Sequence, residues 1–235
     1  MKKIDIAVIK NCPREGPGAL ESLFKEHDLT YSIFDLDAGD EFPNPLDYKA
    51  LVVLGGPDSA NDYTKKMQTE LMQIKKALQS GVAYFGICLG LQTLVKAAGG
   101  SVIRSPVKEI GFKDQNNEYF FLEKESNDAL LEGISFPRPI FHLHGETVEL
   151  TRSMKLLASG KWCRNQLVKV QDNAYGIQGH MELTPNMIKD WLMKDDDLKQ
   201  LDKKRLLEQY KEIKDEYEKT GKQLFANFLK ITGLI

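Results

Sequence analysis

VAYFGICLGLQTLVKAAGG, residues 82–100, is the stretch whose reading decides the fold. Residues 82–87 are apolar and rich in β-formers, with no helical spacing, and predict a strand buried on both faces. Residues 89–98 alternate apolar and polar positions at helical spacing and end in Gly99-Gly100, a helix stop. Between them stands Gly86-Ile87-Cys88-Leu89-Gly90, a glycine–any–nucleophile–any–glycine turn with cysteine at its centre. So abrupt a strand-to-helix turn leaves no space for a side chain at 86 or 90 and holds Cys88 in a strained conformation. The sulfur is then expected at the mouth of a sheet, just before a helix N-terminus, a setting that favours thiolate chemistry. A buried structural cysteine is the alternative, and this segment alone does not exclude it.

The same strand–helix alternation extends outward from this stretch. Upstream, IDIAVI (4–9) is followed by the helical GALESLFKEH (18–27) and by YSIFDL (31–36); ALVVL (50–54) ends in GGPDS, ahead of a helical pattern over about 63–79. Downstream, SVIR (101–104) reads as a further strand. Apolar strands separated by helices predict an α/β fold whose mostly parallel sheet is covered on both faces. EIGF, EYFFL, PIFHLH, KLLAS, QLVKV and AYGIQ (between 109 and 178) then succeed one another with little helix, and read as strands extending the sheet, some antiparallel. From Thr184, an N-cap with Pro185 at the first helical position, the chain turns helical. Leu198, Leu201, Leu206, Tyr210, Ile213 and Tyr217 recur at helical spacing, Gly221 is expected to break that helix, and LFANFLKI forms the last segment. Residues 1–235 thus read as one domain, with 185–235 a helical extension packed on it.

Composition narrows the function classes. The 235 residues are 42% hydrophobic and 28% charged, with a formal net charge of -2, which offers no attraction for nucleic acid or an anionic membrane. No apolar run approaches the roughly 18–20 residues of a membrane span. The opening MKKIDIAVIK lacks a cleavage site and is interrupted by Asp5, so it reads as a strand and not as a leader. Three scattered cysteines, Cys12, Cys88 and Cys163, point to a reducing cytoplasm. His142 and His144 are two apart without a further ligand in sequence, so no metal is expected.

Cys88 gains meaning from AYGIQGHMELTP (174–185). His180 and Glu182, two apart in an extended segment, project to one side. Glu182 can accept from one ring nitrogen of His180 and leave the other facing Cys88. The order Cys, His, Glu differs from that of the α/β-hydrolases, where the acid precedes the histidine.

With these residues in view, the chain resembles the class I glutamine amidotransferases, the triad type that includes the glutaminase domain of GMP synthase. GICLGLQ (86–92) resembles the family's nucleophile motif, GIQGHMELTP (176–185) its histidine motif, and LVVLGGPDS (51–59) its oxyanion loop. EGPGALESLF, EIGF and HLHGETVEL are similar to motifs of its stand-alone branch. The resemblance runs from about Ile4 to about Trp191. It implies a flavodoxin-like three-layer αβα fold, the catalytic set Cys88, His180 and Glu182, and an oxyanion hole from the backbone N–H groups of Gly56 and Leu89. It also implies substrate contacts from Gln92 and from the Leu143–His144–Gly145 segment, although His144 reads equally as a structural histidine. His142, Cys12 and Cys163 read as structural.

The implied activity is cysteine-dependent hydrolysis of a γ-glutamyl amide through a thioester, without cofactor. Glutamine or a related small γ-glutamyl compound is the substrate. A glutaminase subunit feeding ammonia to a synthase in trans is one alternative, because some fifty residues after Glu182 cannot form a synthetase domain. An idle flavodoxin-like binding module is another, disfavoured by three intact catalytic residues. The histidine motif departs from the family twice, with Gly179 for an aromatic residue and Met181 for proline. Loss of the ring at 179 is expected to make room for a leaving group larger than ammonia, which favours γ-glutamyl peptides over glutamine.

Overall fold

The computed structural model describes residues 4–235, so Lys2 and Lys3 of the opening segment lie outside the described residues. Five strands form the parallel half of the main sheet: β1 (Ile4–Lys10), β2 (Tyr31–Asp35), β3 (Tyr48–Val53), β4 (Ala83–Ile87) and β11 (Ala174–Ile177). They lie in the order β2-β1-β3-β4-β11, with Val8 opposite Val52 and Val52 opposite Phe85. Beyond β11 the sheet continues antiparallel through β10 (Leu167–Gln171), β9 (Lys155–Ser159), β6 (Phe121–Lys124) and the short β7 (Arg138–Pro139).

Alternation along each strand feeds two cores, as a doubly covered sheet requires. Ile6, Val8 and Phe85 point to one face, where they meet α1 (Ala19–Glu26), α4 (Pro185–Lys194) and α5 (Lys203–Ile231). Ala7, Ile9, Val53 and Tyr84 point to the other, under α2 (Lys65–Gln79) and α3 (Leu89–Ala97). The result is a three-layer, flavodoxin-like αβα arrangement whose central strand β4 runs straight into α3. Among the described residues, no helix is long and apolar enough to cross a membrane. Thr184 caps α4 by accepting from the Met187 N–H, with Pro185 in the first turn.

Two sequence expectations fail here. SVIR and EIGF belong to one strand, β5 (Ser101–Gly111), and the HLH of PIFHLH opens its partner β8 (His142–Glu149); the two form a separate two-stranded ribbon and do not extend the sheet. β5 alternates between buried and exposed positions, the pattern of a strand covered on one side only, and SVIR is too short to reveal this. The second concerns Gly221, which does not end a helix. α5 runs unbroken for 29 residues, and Gly221 lies where a Cβ would stand 2.3 Å from the backbone oxygen of Met181. The glycine lets the helix press against the chain between His180 and Glu182, and the Tyr217 hydroxyl donates to the His180 carbonyl at 2.8 Å beside it.

Gly221→Ala makes a stringent test of that contact. In an ordinary helix interior the change would stabilise by about 1 kcal/mol. Here the new methyl meets backbone that cannot rotate away, so a net loss of about 2–3 kcal/mol in chemical denaturation is expected. A gain would mean that the helix does not bear on the histidine segment.

Candidate active site

Cys88 occupies the junction of β4 and α3 with φ 52° and ψ -105°, a left-handed conformation that costs a non-glycine residue on the order of 1–3 kcal/mol. Its neighbours show why the turn needs glycine. A Cβ on Gly86 would lie 2.2 Å from the Gly90 backbone oxygen, and one on Gly90 would lie 2.1 Å from that of Val53. The elbow is fixed from across the sheet, because the Cys88 N–H donates to the Ile177 carbonyl at 2.8 Å. Leu89 then opens α3, where a first-turn N–H has no acceptor within the helix.

β11 ends at Ile177, and the next five residues carry the base. The His180 N–H donates to the Phe141 carbonyl at 2.8 Å, which anchors this segment to the chain entering β8. His180 Nδ1 meets Glu182 Oε1 at 2.7 Å, while the Met181 N–H donates to Glu182 Oε2 at 2.9 Å. Both carboxylate oxygens are therefore held. Trp191 stands edge-on to the imidazole, with ring centroids 4.9 Å apart, and Phe141 flanks it as well. Burial opposes a charged ring in this place. The Glu182 carboxylate and the adjoining Cys88 sulfur outweigh that penalty and hold the His180 pKa well above its ordinary value.

A cavity of about 330 Å³ opens over Cys88, lined by Arg14, Glu15, Gly56, Gln92, Leu143 and His144 among others. Gly56 reaches the elbow: a Cβ there would lie 3.3 Å from Leu89 Cδ2, so the loop after β3 packs against the start of α3. Gln92 donates to the Glu146 carbonyl at 3.2 Å and to Gln178 Oε1 at 3.4 Å. The Leu143 carbonyl faces the thiol at 3.8 Å. His144 is committed elsewhere, with Nδ1 3.0 Å from the Glu146 carbonyl and Nε2 2.9 Å from Glu109. Its side chain therefore braces the β5–β8 ribbon. All three cysteines are free and buried, and burial raises the Cys12 and Cys163 thiols to about 11.

Three residues of this region were not found from the sequence. Gln178, two before His180, places Nε2 3.7 Å from the Cys88 sulfur; alternation along an extended segment would have predicted it. Glu15 comes from the loop after β1 and carried no signal beyond its motif. Glu109 corrects the expectation that His142 and His144 have no third partner. The β5–β8 register sets Glu109 opposite His144, and the donor atoms of all three lie within 4.8 Å of one another. Glu109 also accepts from Gln166 Nε2 at 3.3 Å.

The expectation about Gly179 is overturned. A Cβ there would lie 2.5 Å from Ile140 Cδ1 and 2.8 Å from His142 Cε1, so these side chains fill the space of the missing ring. Met181 is buried in the core, and neither residue lines the cavity. No enlarged leaving-group site follows from the two departures.

The comparisons with known proteins bear on family and fold. The model of the glutamine amidotransferase class-I family matches residues 18–198. The glutamine amidotransferase-like protein YfeJ of Salmonella typhimurium is 30% identical over 176 residues, 72% of each chain. A GMP synthase of Paraburkholderia phymatum is 28% identical over 167 residues, 68% of this chain but 30% of that protein. The chain thus spans about a third of the GMP synthases it matches. Among solved structures, a glutamine amidotransferase from Thermotoga maritima superposes with a TM-score of 0.85 at 26% identity, covering 99% of both chains. One from Methylobacillus flagellatus superposes at 0.86 with 24% identity, over 98% of this chain and 96% of that one, a likeness of fold. The chain belongs to the class I glutamine amidotransferase family.

Proposed function

We propose that the protein hydrolyses the γ-glutamyl amide of glutamine, or of a related γ-glutamyl compound, with Cys88 as nucleophile, His180 as acid and base, and Glu182 as orienter. The observation that carries this is the strained cysteine beneath a cavity, adjoining an imidazole whose far nitrogen is locked to a carboxylate. His180, readily protonated, balances a Cys88 thiolate. The thiolate attacks the side-chain carbonyl carbon, and the C–S bond forms as charge moves to the oxygen, toward the Gly56 and Leu89 amides. The C–N bond then breaks, His180 delivers its proton to the departing nitrogen, and a γ-glutamyl thioester remains. Water attacks next and gives its proton to His180. The C–S bond breaks, releasing glutamate and restoring the thiolate.

Gln92 and the Leu143–His144 segment supply the polar wall against which the substrate head is oriented, and Gln178 holds Gln92 from behind. Unpaired, buried thiols fit a reducing compartment, and we assign the protein to the cytoplasm on that ground. The test is ammonia and glutamate release from glutamine by the purified chain. Stoichiometric release that disappears with Cys88 supports the reading, and release by a Cys88-less protein contradicts it.

A second reading shares this chemistry but sends the ammonia to a separate synthase. It is favoured by the relatives whose printed name is GMP synthase. Glutamine hydrolysis that rises severalfold only when a synthase is added would select it.

A further inference from the structure

Glu15 lines the cavity yet has no place in the reaction just described. Its side chain is 4% exposed, and Oε2 has no hydrogen-bond partner. It stands close to the reacting sulfur: a Cβ built on Gly55 would lie 2.3 Å from Glu15 Oε2 and 3.3 Å from the Cys88 Cβ. A buried carboxylate oxygen without a partner is costly, and a fold keeps one where a ligand completes it. The basic groups nearby do not pair with Oε2; the His180 imidazole acts on it only through space and is held by Glu182. Arg14 is paired with Asp195 at 2.7 Å and Lys108 with Asp197 at 2.6 Å. The cavity lining as a whole sets five carboxylates against those two cations.

We propose that Glu15 is a specificity-determining residue that selects γ-glutamyl amides whose leaving amine is neutral or cationic and rejects those whose leaving amine carries a carboxylate. This rests on the hydrolase reading above and adds the charge of the leaving group. The scissile amide must lie over the Cys88 sulfur, and Glu15 borders that position from the β1 loop. Departing ammonia offers N–H donors, and the leaving amine of an alkyl diamine amide carries a distal ammonium; either supplies the partner that Oε2 lacks. A γ-glutamyl amino acid would bring a second carboxylate to a buried one, and the nearby cations His180, Arg14 and Lys108 are already held by Glu182, Asp195 and Asp197.

The experiment compares kcat/KM for glutamine, the γ-glutamyl amide of 1,4-diaminobutane and γ-glutamylglycine, in the wild type and in Glu15→Gln. The wild type is expected to favour the diamine amide over γ-glutamylglycine by at least about 10-fold, and Glu15→Gln to bring that ratio near one. Stability supplies a second readout. Burial raises the Glu15 pKa above its ordinary 4.5 against the pull of His180 and Arg14, so in the empty site the carboxylate is the costly form, and a cationic leaving group is what stabilises it. Its contribution is complete below pH 4.5 and is lost as pH rises through the folded value, so Glu15→Gln should melt higher than wild type at pH 7. A merely structural carboxylate would give the opposite shift.

An unchanged ratio in Glu15→Gln, or a wild type that prefers γ-glutamylglycine, overturns the proposal while leaving glutamine hydrolysis intact. Failure to cleave any of the three, with no labelling of Cys88 by a glutamine-like electrophile, overturns the hydrolase reading instead. If the variant does not fold, inhibition of the wild type by free 1,4-diaminobutane but not by glycine still supports the charge preference, and the reverse order overturns it.

Discussion

Replacing Cys88 by alanine is expected to abolish amide hydrolysis, by more than about 10⁴-fold in kcat, while the protein remains folded. The size of the effect follows from the site having one nucleophile. Cys12 and Cys163 are buried thiols held to about 11, and neither adjoins an imidazole paired with a carboxylate. The fold should tolerate the change and even gain from it. Alanine removes only the sulfur, and its small side chain bears the left-handed φ of 52° no worse than cysteine does. Circular dichroism and thermal melting alongside ammonia release separate the two effects. Retained activity, or collapse of the fold, would each show that Cys88 has a different role.

The second large effect is an inequality between His180 and Glu182. His180→Ala should cost about as much as loss of Cys88, because both proton transfers run through the one imidazole. Glu182→Gln should be milder, roughly 10²–10⁴-fold, since the glutamate orients and charges the ring without itself taking the proton. A glutamine at 182 can still receive the Nδ1–H at one atom, but it no longer offsets the burial that opposes the imidazolium. The loss in Glu182→Gln should therefore fall mainly on kcat, with KM little changed. Equal losses in the two variants would mean that Glu182 takes a direct part in proton transfer. Near-wild-type rates in His180→Ala would mean that another base operates.

The elbow was readable because its constraints are local. Gly86, Cys88 and Gly90 are close in sequence, and the contacts that demand glycine come from the strand and helix on either side. The His180–Glu182 pairing was readable for the same reason, as alternation alone puts them on one side. What escaped is what distant segments decide. The SVIR and EIGF segments looked like sheet strands, yet β4 already has β11 as its neighbour, and β5 pairs along its length with β8. Gly221 carries the composition of a helix stop, and only the approach of Met181 reveals a helix-to-backbone contact. Glu109 joins His142 and His144 through ribbon register, and Glu15 reaches Cys88 through the loop after β1. Position 179 illustrates the opposite error. A missing ring looked like empty space, but Ile140 and His142 had taken it.

The most direct test of the central claim is covalent. The wild-type protein is incubated with an electrophilic diazoketone analogue of glutamine, digested, and mapped by mass spectrometry while residual ammonia release is followed. One label per chain on the peptide that carries Cys88, rising in step with loss of activity and slowed by glutamine, is the predicted result. Labelling of Cys12 or Cys163 in its place, or full activity after Cys88 has been modified, would contradict the account.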